Sequence, residues 1–437
     1  MRVLFLTYHY PPDPAVGAFR PGKVVEAFRR VGHEVVVITA TLPGERPGVR
    51  VDGPGYRVRT VPTWSNPRDW YASIKAALQR RRGAAVQESV RGISTGPVRT
   101  PTRVPRWKRW IFSLLWLPDP RQGIIPPALL AALKERQTGY DLVYSSGPPF
   151  SIHLAAWMAR LLFRARWMIE FRDPWTLNPW KPWHVRSTFS DRVERWMERR
   201  CLAGAHRVVC VTEGIRTGFE SLNSGAAVKL TVALNGIDHL RNGEPTRRGK
   251  GPVKILHVGT LYHSRDPRPF LNALATARER HQFTSAHVAV SFVGNCRWFG
   301  DISLEAEIAR RGLGDLVALH DWVPHEEIGE MLEEADILLL LAQNQPDQVP
   351  NKLYEYLGTG KVILAWADEP GESARMLRVV GGHLVVSDQS GEKQAEMVAQ
   401  ALGLGAEERT PPDRDVLEQW RTENQMASIV TLAEELT

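Results

Sequence analysis

Short apolar runs alternate with longer amphipathic stretches along this chain. In the first half, five runs have the length and composition of buried strands: Arg2–Thr7, His33–Thr39, Asp141–Ser145, Trp167–Phe171 and Arg207–Thr212. Helical candidates between them include Arg20–Val31, which Gly32 ends, and Ser190–Ala203. Strands that alternate with helices predict a parallel sheet with helices on both faces.

The same alternation restarts after Arg241. The second series of strand-like runs comprises Val253–Val258, His287–Val293, Leu316–Leu319, Ile337–Leu341, Val362–Ala365 and His383–Val386. Residues 239–251 between the two series are rich in glycine and charge, as a linker is. We therefore predict an α/β protein of two doubly wound, Rossmann-like domains, 1–238 and 252–415, that face a central cleft. A C-terminal helix within 416–437 could cross back to the first domain.

Length and composition agree with a globular protein of two domains. The 437 residues exceed one ordinary core, and the three cysteines are too few and too scattered for a disulfide framework or a zinc cluster. The chain starts without a charged-then-apolar leader, and the most apolar stretch, 110–118, is far shorter than the roughly 20 residues of a spanning helix. We expect a cytoplasmic protein.

Charge divides the chain into two unlike halves. Up to Arg241 there are 37 Lys and Arg against 18 Asp and Glu, and after it 19 against 30. A half this basic attracts anions such as lipid headgroups, a lipid phosphate, an acidic glycan or nucleic acid. The chain carries no nucleic-acid-binding motif, and its acidic half disfavours a general polyanion clamp, so we expect no nucleic-acid partner.

The most informative segment runs from Asp347 to Glu355, after an apolar strand. A short helix is expected to begin near Asn351, and helix N-termini beyond the carboxyl ends of parallel strands bind phosphate. Lys352 adds a positive charge there, and Glu355, one turn later, could accept hydrogen bonds from ribose hydroxyls. The alternative is an ordinary amphipathic helix on which Lys352 and Glu355 form a solvated ion pair.

This segment, P-N-K-L-Y-E-Y-L-G-T-G, resembles the Glu-x7-Glu signature of family-4 glycosyltransferases. The resemblance implies that Glu355 binds the donor ribose and that Asp347, where the family usually has glutamate, contacts the transferred sugar. It also assigns Asn351, Lys352 and Leu353 to the donor site.

Two further stretches of the second half resemble the same family. Val323 and Pro324 match the loop that meets the nucleotide base. In G-T-L-Y-H-S-R, Thr260 replaces the arginine of the family's G-R-L-x-x-x-K pattern, and Arg265 can stand in for the lysine that holds the diphosphate. A plain surface arginine at position 265 is the alternative.

Loops of the first half also resemble the family, mainly in segments that contact the acceptor. Y-P-P-x-x-x-x-G-x-x-R assigns Tyr10 and Arg20 to the acceptor and Gly17 to the donor, although a simple turn would also explain the glycine. S-G-P-P-F adds Pro148 to the acceptor side. F-R-D-P-W-T places Arg172 and Asp173 beside the reacting sugar. Asp173 could bind the acceptor hydroxyl or act as a base, or it could simply start an Asp–Pro turn.

The resemblance covers the chain to about Val386 and points to a bacterial branch that serves surface-polysaccharide pathways. It implies the GT-B fold and a retaining hexosyltransferase that uses a nucleotide-sugar donor and an acceptor hydroxyl on a sugar, a lipid-linked or a small molecule, without a metal or a cofactor. Alternatives are an epimerase-like enzyme on the same fold and a protein that binds the donor without transferring it.

A basic, aromatic stretch interrupts the first half. Residues 80–110 hold nine Arg and Lys and one acid, and tryptophans at 107, 110 and 116 follow or lie among them. Basic and aromatic side chains favour an anionic membrane interface, so we predict peripheral membrane contact through 80–117. A basic loop with its aromatic residues tucked into the domain is the alternative.

Overall fold

A computed structural model describes residues 1–65, 113, 116–135, 139–178, 187–222, 229–241, 251–262, 265–387, 390–404 and 411–437. It divides into two compact units. The first contains the described residues up to Leu234 together with Glu423–Thr437, and the second is Asn235–Thr422. Most of the predicted linker, 242–250, and residues 80–112 of the predicted membrane-contacting stretch lie outside the described residues.

The first unit is built on one large sheet. Its strands are β1 (Arg2–Thr7), β2 (Glu34–Ala40), β3 (Gly48–Gly53), β4 (Tyr56–Val61), β5 (Leu142–Gly147), β6 (Arg166–Phe171), β7 (Arg207–Cys210) and β8 (Leu230–Val232). Its first five helices are α1 (Phe19–Arg30), α2 (Ile125–Lys134), α3 (Ser151–Phe163), α4 (Thr188–Gly204) and α5 (Glu213–Leu222). The strand order is β3-β4-β2-β1-β5-β6-β7-β8, parallel except for the β3–β4 hairpin.

Two apolar layers cover this sheet. On one face α2, α3, α4 and α5 bury residues such as Ala131, Ala155 and Leu202 against the strands. On the other face α1 contributes Val24 and Phe28. The central strands are buried on both faces, which is why they read in the sequence as continuous apolar runs.

Local signals end and begin the helices of this unit. α1 stops where predicted, because Gly32 adopts a φ of +85° that a side chain would disfavour. α4 begins with a capping box between Ser187 and Ser190.

The second unit repeats the design with a smaller sheet. Its strands are β9 (Val253–Val258), β10 (Val288–Val293), β11 (Trp298–Phe299), β12 (Ile302–Ser303), β13 (Val317–His320), β14 (Ile337–Ala342), β15 (Val362–Ala367) and β16 (Leu384–Val386). Its helices are α6 (Arg268–His281), α7 (Leu304–Arg310), α8 (His325–Glu334), α9 (Asn351–Gly358), α10 (Glu372–Val380), α11 (Gly391–Ala401) and α12 (Arg414–Gln419). The parallel sheet has the order β13-β10-β9-β14-β15-β16. Counted along the chain this is 3-2-1-4-5-6, the doubly wound order of dinucleotide-binding folds.

The end of the chain returns to the first unit. The amphipathic stretch predicted as one helix is divided into α12 and α13 (Thr422–Glu434), and Ile429 and Val430 of α13 pack beside α1. The units divide between Leu234 and Asn235, four residues before the boundary predicted from the sequence. Just after this boundary, Gly236 lets the backbone pack closely against Thr422, because a Cβ at position 236 would lie 2.5 Å from the Cα of Thr422.

The predicted strands are all present, with ends shifted by no more than two residues. The pairs β3–β4 and β11–β12 and the strand β8 were not predicted. β3 is largely exposed, and β8, β11 and β12 are only two or three residues long. Within the described part of the chain, no helix has the length and apolar character needed to span a bilayer.

Candidate functional site

The second unit has a crevice-forming position in its sheet. β9 and β14 are neighbouring strands. From β9 the sheet continues through β10 toward one edge, and from β14 it continues through β15 toward the opposite edge. Open α/β sheets bind ligands outside the carboxyl ends of strands at such a switch point. β9 is followed there by Gly259, and β14 by the loop that leads to α9.

Three side chains, of which that of Lys352 comes from a distant part of the sequence, converge on Gly259. Its φ is +154°, and a Cβ built on it would lie 3.5 Å from Cε of Lys352. The same point is 3.6 Å from Nη1 of Arg265 and 3.6 Å from Nε2 of His257. The structure therefore brings together the two predicted diphosphate-binding cations, and it adds a histidine to them.

Arg265 is held beside this glycine by weak contacts. Its guanidinium lies over the ring of Tyr262 at 4.5 Å, and Nη1 is 3.4 Å from the carbonyl oxygen of Thr260. Nε is buried and has no hydrogen-bond partner among the described residues, and no carboxylate there pairs with this arginine. A half-buried guanidinium with an unused donor favours the anion-binding interpretation over a plain surface arginine.

Helix α9 begins at Asn351, as predicted, after the extended residue Pro350. Nζ of Lys352 lies 3.5 Å from Oε2 of Glu355, so the i, i+3 pair of the alternative interpretation is present. Glu355 is 42% exposed, and a ligand can reach it. Asn351 accepts a hydrogen bond from Nδ2 of Asn235 at 3.0 Å, which ties the start of the helix to the segment that opens this unit.

Leu353 does not fit its predicted role as a donor contact. Its side chain is fully buried, and its N–H donates to the carbonyl of Pro350 at 2.9 Å. Neither group is left to meet a nucleotide sugar. Leu353 instead anchors the first turn of α9 to the core.

The other predicted donor residues lie on neighbouring loops. Asp347 is half-buried on the loop between β14 and α9, where burial and the charge of Glu372 raise the pKa of its carboxyl. Val323 and Pro324 follow β13, which β10 separates from β9. Their places in the site stay predictions.

Sequence reasoning missed Gly294 and His257. Gly294 has a φ of +109°, and a Cβ on it would lie 2.4 Å from the carbonyl oxygen of Gly259. The two loops after β9 and β10 thus pack backbone against backbone. A signal was available, because both strands end in Val–Gly, at Val258 and at Val293, and His257 is a polar residue in a buried run.

Arg172 forms hydrogen bonds with backbone carbonyls at the switch point of the first sheet. This point lies between β1 and β5. The guanidinium donates to the carbonyl oxygens of Gly17, Pro148 and Gly147, the last from Nε at 3.3 Å. Three nitrogen atoms committed to carbonyls make Arg172 a residue that positions these loops. Burial lowers the pKa of the Arg172 guanidinium, and the charges of Glu170 and Asp173 oppose this shift.

Two predicted acceptor residues are buried in the core of the first unit. Arg20 is 5% exposed and donates from Nε to Glu170 at 2.8 Å and from its terminal nitrogens to the carbonyls of Leu234 and Ala233. Tyr10 is 6% exposed, and its hydroxyl lies 2.9 Å from that of Tyr56. The structure corrects both assignments, because buried side chains with saturated contacts support the fold and are not presented to an acceptor.

Asp173 keeps its place as a prediction. It is half-buried directly after β6, next to Arg172. Among the described residues, no group of three or more His, Cys, Asp or Glu side chains is arranged to hold a metal ion.

Comparisons with known proteins agree with this architecture. Residues 19–236 match the family model described as "Glycosyl transferase 4-like domain". The sequence has no significant match among curated proteins.

Solved structures are similar over the whole chain. Sucrose-phosphate synthase from Thermosynechococcus elongatus has a TM-score of 0.61 at 15% identity, with 100% of this chain and 99% of that chain covered. UDP-forming trehalose-phosphate synthase from Burkholderia xenovorans has a TM-score of 0.63 at 14% identity, with 100% and 98% covered. HepE from Anabaena, solved with UDP, has a TM-score of 0.56 at 14% identity, with 100% and 97% covered. The likeness shows that the fold is GT-B.

Proposed function

Since this chain is a glycosyltransferase whose residues 19–236 belong to the glycosyl transferase 4-like family, we propose that it moves a hexose from a nucleotide-sugar donor to an acceptor hydroxyl. The observation that carries the proposal is the convergence of Arg265 and Lys352 on Gly259, at the switch point of the second sheet. Two cations beside a glycine, which places no side chain between them, suit a diphosphate.

Each residue near this cluster receives a role in the proposal. Arg265 and Lys352 bind the diphosphate oxygens and stabilise the charge that develops on the leaving group. Glu355, one turn along α9, accepts hydrogen bonds from the ribose, and Asp347 contacts the transferred sugar. The base lies along Val323 and Pro324. HepE from Anabaena, which shares the fold, has been solved with UDP-glucose, which makes a uridine nucleotide the first donor to test.

On the acceptor side, we assign the hydroxyl contact to Asp173. Arg172 holds the surrounding loops through the carbonyls of Gly17 and Pro148. A carboxylate directly after a buried strand is well placed to orient a hydroxyl or to take its proton.

We extend the proposal to a retaining transfer that needs neither a metal nor a cofactor. The chain's own cations, Arg265 and Lys352, supply the positive charge that a metal supplies in other transferases. The family resemblance supports the stereochemical outcome. The nature of the acceptor, and a place in surface-polysaccharide synthesis in the cytoplasm, rest on the same resemblance.

A donor-binding experiment tests the proposal. Thermal shift and calorimetry with UDP-glucose, GDP-mannose and ADP-glucose should identify one ligand. Arg265→Ala, Lys352→Ala and Glu355→Ala should each weaken its binding at least about tenfold, because a charge-assisted hydrogen bond contributes about 1.5–3 kcal/mol.

Two matched variants serve as controls. Lys393→Ala removes an exposed lysine from the first turn of α11, and Glu330→Ala removes an exposed glutamate of α8. Both should bind like the wild type. Equal binding by the controls and by the three site variants would contradict the proposed donor site.

Product analysis separates the proposed transfer from its alternatives. With the identified donor and a panel of acceptors, a transferase forms a new glycoside and releases the nucleoside diphosphate. An epimerase-like enzyme would change the donor without an acceptor, and a protein that only binds the donor would leave it intact.

We also propose contact with an anionic membrane surface. The described helix α4 supports this, because its acids Glu194 and Glu198 are buried while its exposed face is cationic and aromatic. The residues of that face are Phe189, Arg192, Arg195, Trp196, Arg199 and Arg200. Basic residues near anionic lipid contribute about 1 kcal/mol each.

Vesicle sedimentation at low salt tests the membrane contact. The wild type should bind phosphatidylglycerol vesicles and not phosphatidylcholine vesicles. Replacing the four arginines of α4 by glutamine should weaken binding at least about tenfold. Replacing Arg30, Arg46, Arg310 and Lys393, four exposed cations elsewhere, serves as the control. Vesicle binding that survives in the α4 variant and is lost when the cations of 80–109 are replaced would move the contact to that stretch.

A further inference from the structure

The third side chain beside Gly259 is a buried histidine. His257, at the penultimate position of β9, is 3% exposed, and its Nδ1 lies 3.0 Å from the carbonyl oxygen of Leu339 in the neighbouring strand β14. A carbonyl oxygen only accepts hydrogen bonds, so Nδ1 carries the proton and donates it. Nε2 is therefore left as an unprotonated acceptor.

This second nitrogen faces the proposed diphosphate site. Nε2 is buried and has no hydrogen-bond partner in the part of the chain that the structure describes, and it lies 3.6 Å from the point that a Cβ of Gly259 would occupy. Cε of Lys352 and Nη1 of Arg265 lie at 3.5 and 3.6 Å from the same point. A buried polar atom without a partner is costly unless a ligand completes its contacts.

The surroundings of His257 keep it neutral in the ligand-free protein. Burial first, and then the charges of Arg265 and Lys352, lower the pKa of His257 to about 4, against the opposing effect of the hydrogen bond to Leu339.

Among the described residues that pack around this cluster, the groups other than Glu355 are neutral. Phe292 of β10 packs 5.4 Å from the imidazole. The thiol of Cys296 has a pKa raised to about 12 by burial, and burial also raises the pKa of the Tyr356 phenol, so both stay neutral. Glu355 contacts Lys352 from its exposed side.

A diphosphate would reverse this balance. Its negative charges, placed between Arg265 and Lys352, offset the two cations that disfavour imidazolium, and an opposite charge within about 4–6 Å favours the protonated form. The proton enters at Nε2, because Leu339 already holds the one on Nδ1.

We propose that His257 is an additional ligand of the donor diphosphate, which takes up a proton from solvent at Nε2 when the diphosphate binds and donates it to a phosphate oxygen. This inference rests on the proposed donor site. No covalent bond changes, and up to one proton is taken up for each donor bound. Because the pKa rises on binding, donor affinity increases as the pH falls below the pKa of the complex, and it is level above that pKa.

Calorimetry with UDP-glucose as the probe tests this linkage, since its diphosphate diester does not itself titrate near neutral pH. At about pH 6, binding enthalpies measured in buffers of different ionisation enthalpy should show proton uptake by the wild type. If the complex has the ordinary histidine pKa of about 6.5, affinity should rise about tenfold from about pH 7.5 to pH 5.5. His257→Gln should remove both effects.

His383 offers a matched control in the same unit. Burial also lowers the pKa of His383 to about 4, and its buried Nε2 likewise has no hydrogen-bond partner among the residues described. Its lowered pKa has no contribution from Arg265 or Lys352. His383→Gln should leave proton uptake unchanged. Histidine nitrogen NMR of the wild type, with and without UDP-glucose, reads the protonation of Nε2 directly if His257→Gln fails to fold.

The outcomes separate this inference from the proposed function. Binding of UDP-glucose without proton uptake, or an unchanged pH profile in His257→Gln, would overturn the role of His257 and leave the donor site standing. If the wild type binds none of UDP-glucose, GDP-mannose and ADP-glucose, the donor site itself is wrong.

Discussion

Replacing Glu170 by glutamine should be among the most destabilising single changes in the first unit. The carboxylate is fully buried and pairs with Arg20, which is 5% exposed. It accepts three hydrogen bonds, from Nε of Arg20 at 2.8 Å, from the hydroxyl of Tyr144 at 2.9 Å and from Oγ of Ser146 at 2.6 Å. Glutamine has nearly the same shape, but it removes the negative charge that faces the buried guanidinium of Arg20.

Two estimates of the free energy of unfolding lost in Glu170→Gln agree. Removing one partner of a buried ion pair costs about 3–5 kcal/mol. Each hydrogen bond to a charged group contributes about 1 kcal/mol more than a neutral one, so three of them give about 3 kcal/mol. In a unit of this size, 1 kcal/mol corresponds to about 2–4 °C, and we expect the melting temperature of Glu170→Gln to fall by roughly 6–20 °C.

Urea and thermal unfolding followed by circular dichroism at neutral pH provide the measurement. Glu26→Gln is the control, because Glu26 pairs with Arg29 at 2.9 Å with both side chains more than 40% exposed, and it should change stability by no more than about 0.5 kcal/mol. The double variant Arg20→Met/Glu170→Gln removes both charges and should recover part of the loss.

The reasoning is refuted if Glu170→Gln is as stable as the control, or if the double variant is less stable than Glu170→Gln alone. The double variant also examines Arg20 itself. A folded double variant that keeps its acceptor KM confirms the structural role of Arg20, whereas a large rise in acceptor KM alone would restore the acceptor contact expected from the sequence.

Three further predictions concern other parts of the molecule. Gly294→Ala should weaken donor binding, measured by calorimetry, at least about tenfold, because the new Cβ would lie 2.4 Å from the carbonyl oxygen of Gly259. The control is Gly312→Ala, where φ is +66° and a Cβ would meet open space. It should cost only about 1 kcal/mol of stability and leave donor affinity unchanged. Arg172→Lys cannot donate to the carbonyl oxygens of Gly17, Pro148 and Gly147 at once and should lower kcat about a hundredfold. Arg166→Lys, at the exposed start of β6, is the control, and equal kcat values for the two variants would contradict this role of Arg172. Burial alone would raise the pKa of the Glu135 carboxyl, but hydrogen bonds from Arg57 and Arg59 outweigh burial and lower this pKa below its ordinary value of 4.5. The ion pairs of Glu135 therefore stabilise the protein above about pH 4.5, and this stabilisation is lost as the pH falls through the lower pKa of the folded state. Acid unfolding followed by fluorescence should therefore be less steep in Glu135→Gln, and an unchanged acid curve would show that this site contributes nothing.

Local sequence determined the elements of this protein well. Apolar runs of six or seven residues that alternate with helical stretches, such as Val253–Val258, indicate buried strands of an α/β sheet. Gly32 ends α1 because glycine adopts its φ of +85° without strain. The start of α9 at Asn351 was equally readable, since Pro350 cannot continue a preceding helix and favours the position before a new one. These features depend on neighbours within a few residues.

Only the tertiary structure decided which residues meet. Lys352 and His257 are 95 positions apart, and they lie beside the same glycine because β9 and β14 are adjacent in the sheet, an order that no local pattern encodes. The sequence did not show that Arg20 is buried: the family resemblance assigned it to the acceptor, but it pairs with Glu170 across 150 positions of the chain. Periodicity and helix caps are local properties, whereas the order of strands selects the distant partners that give each side chain its charge environment and its role.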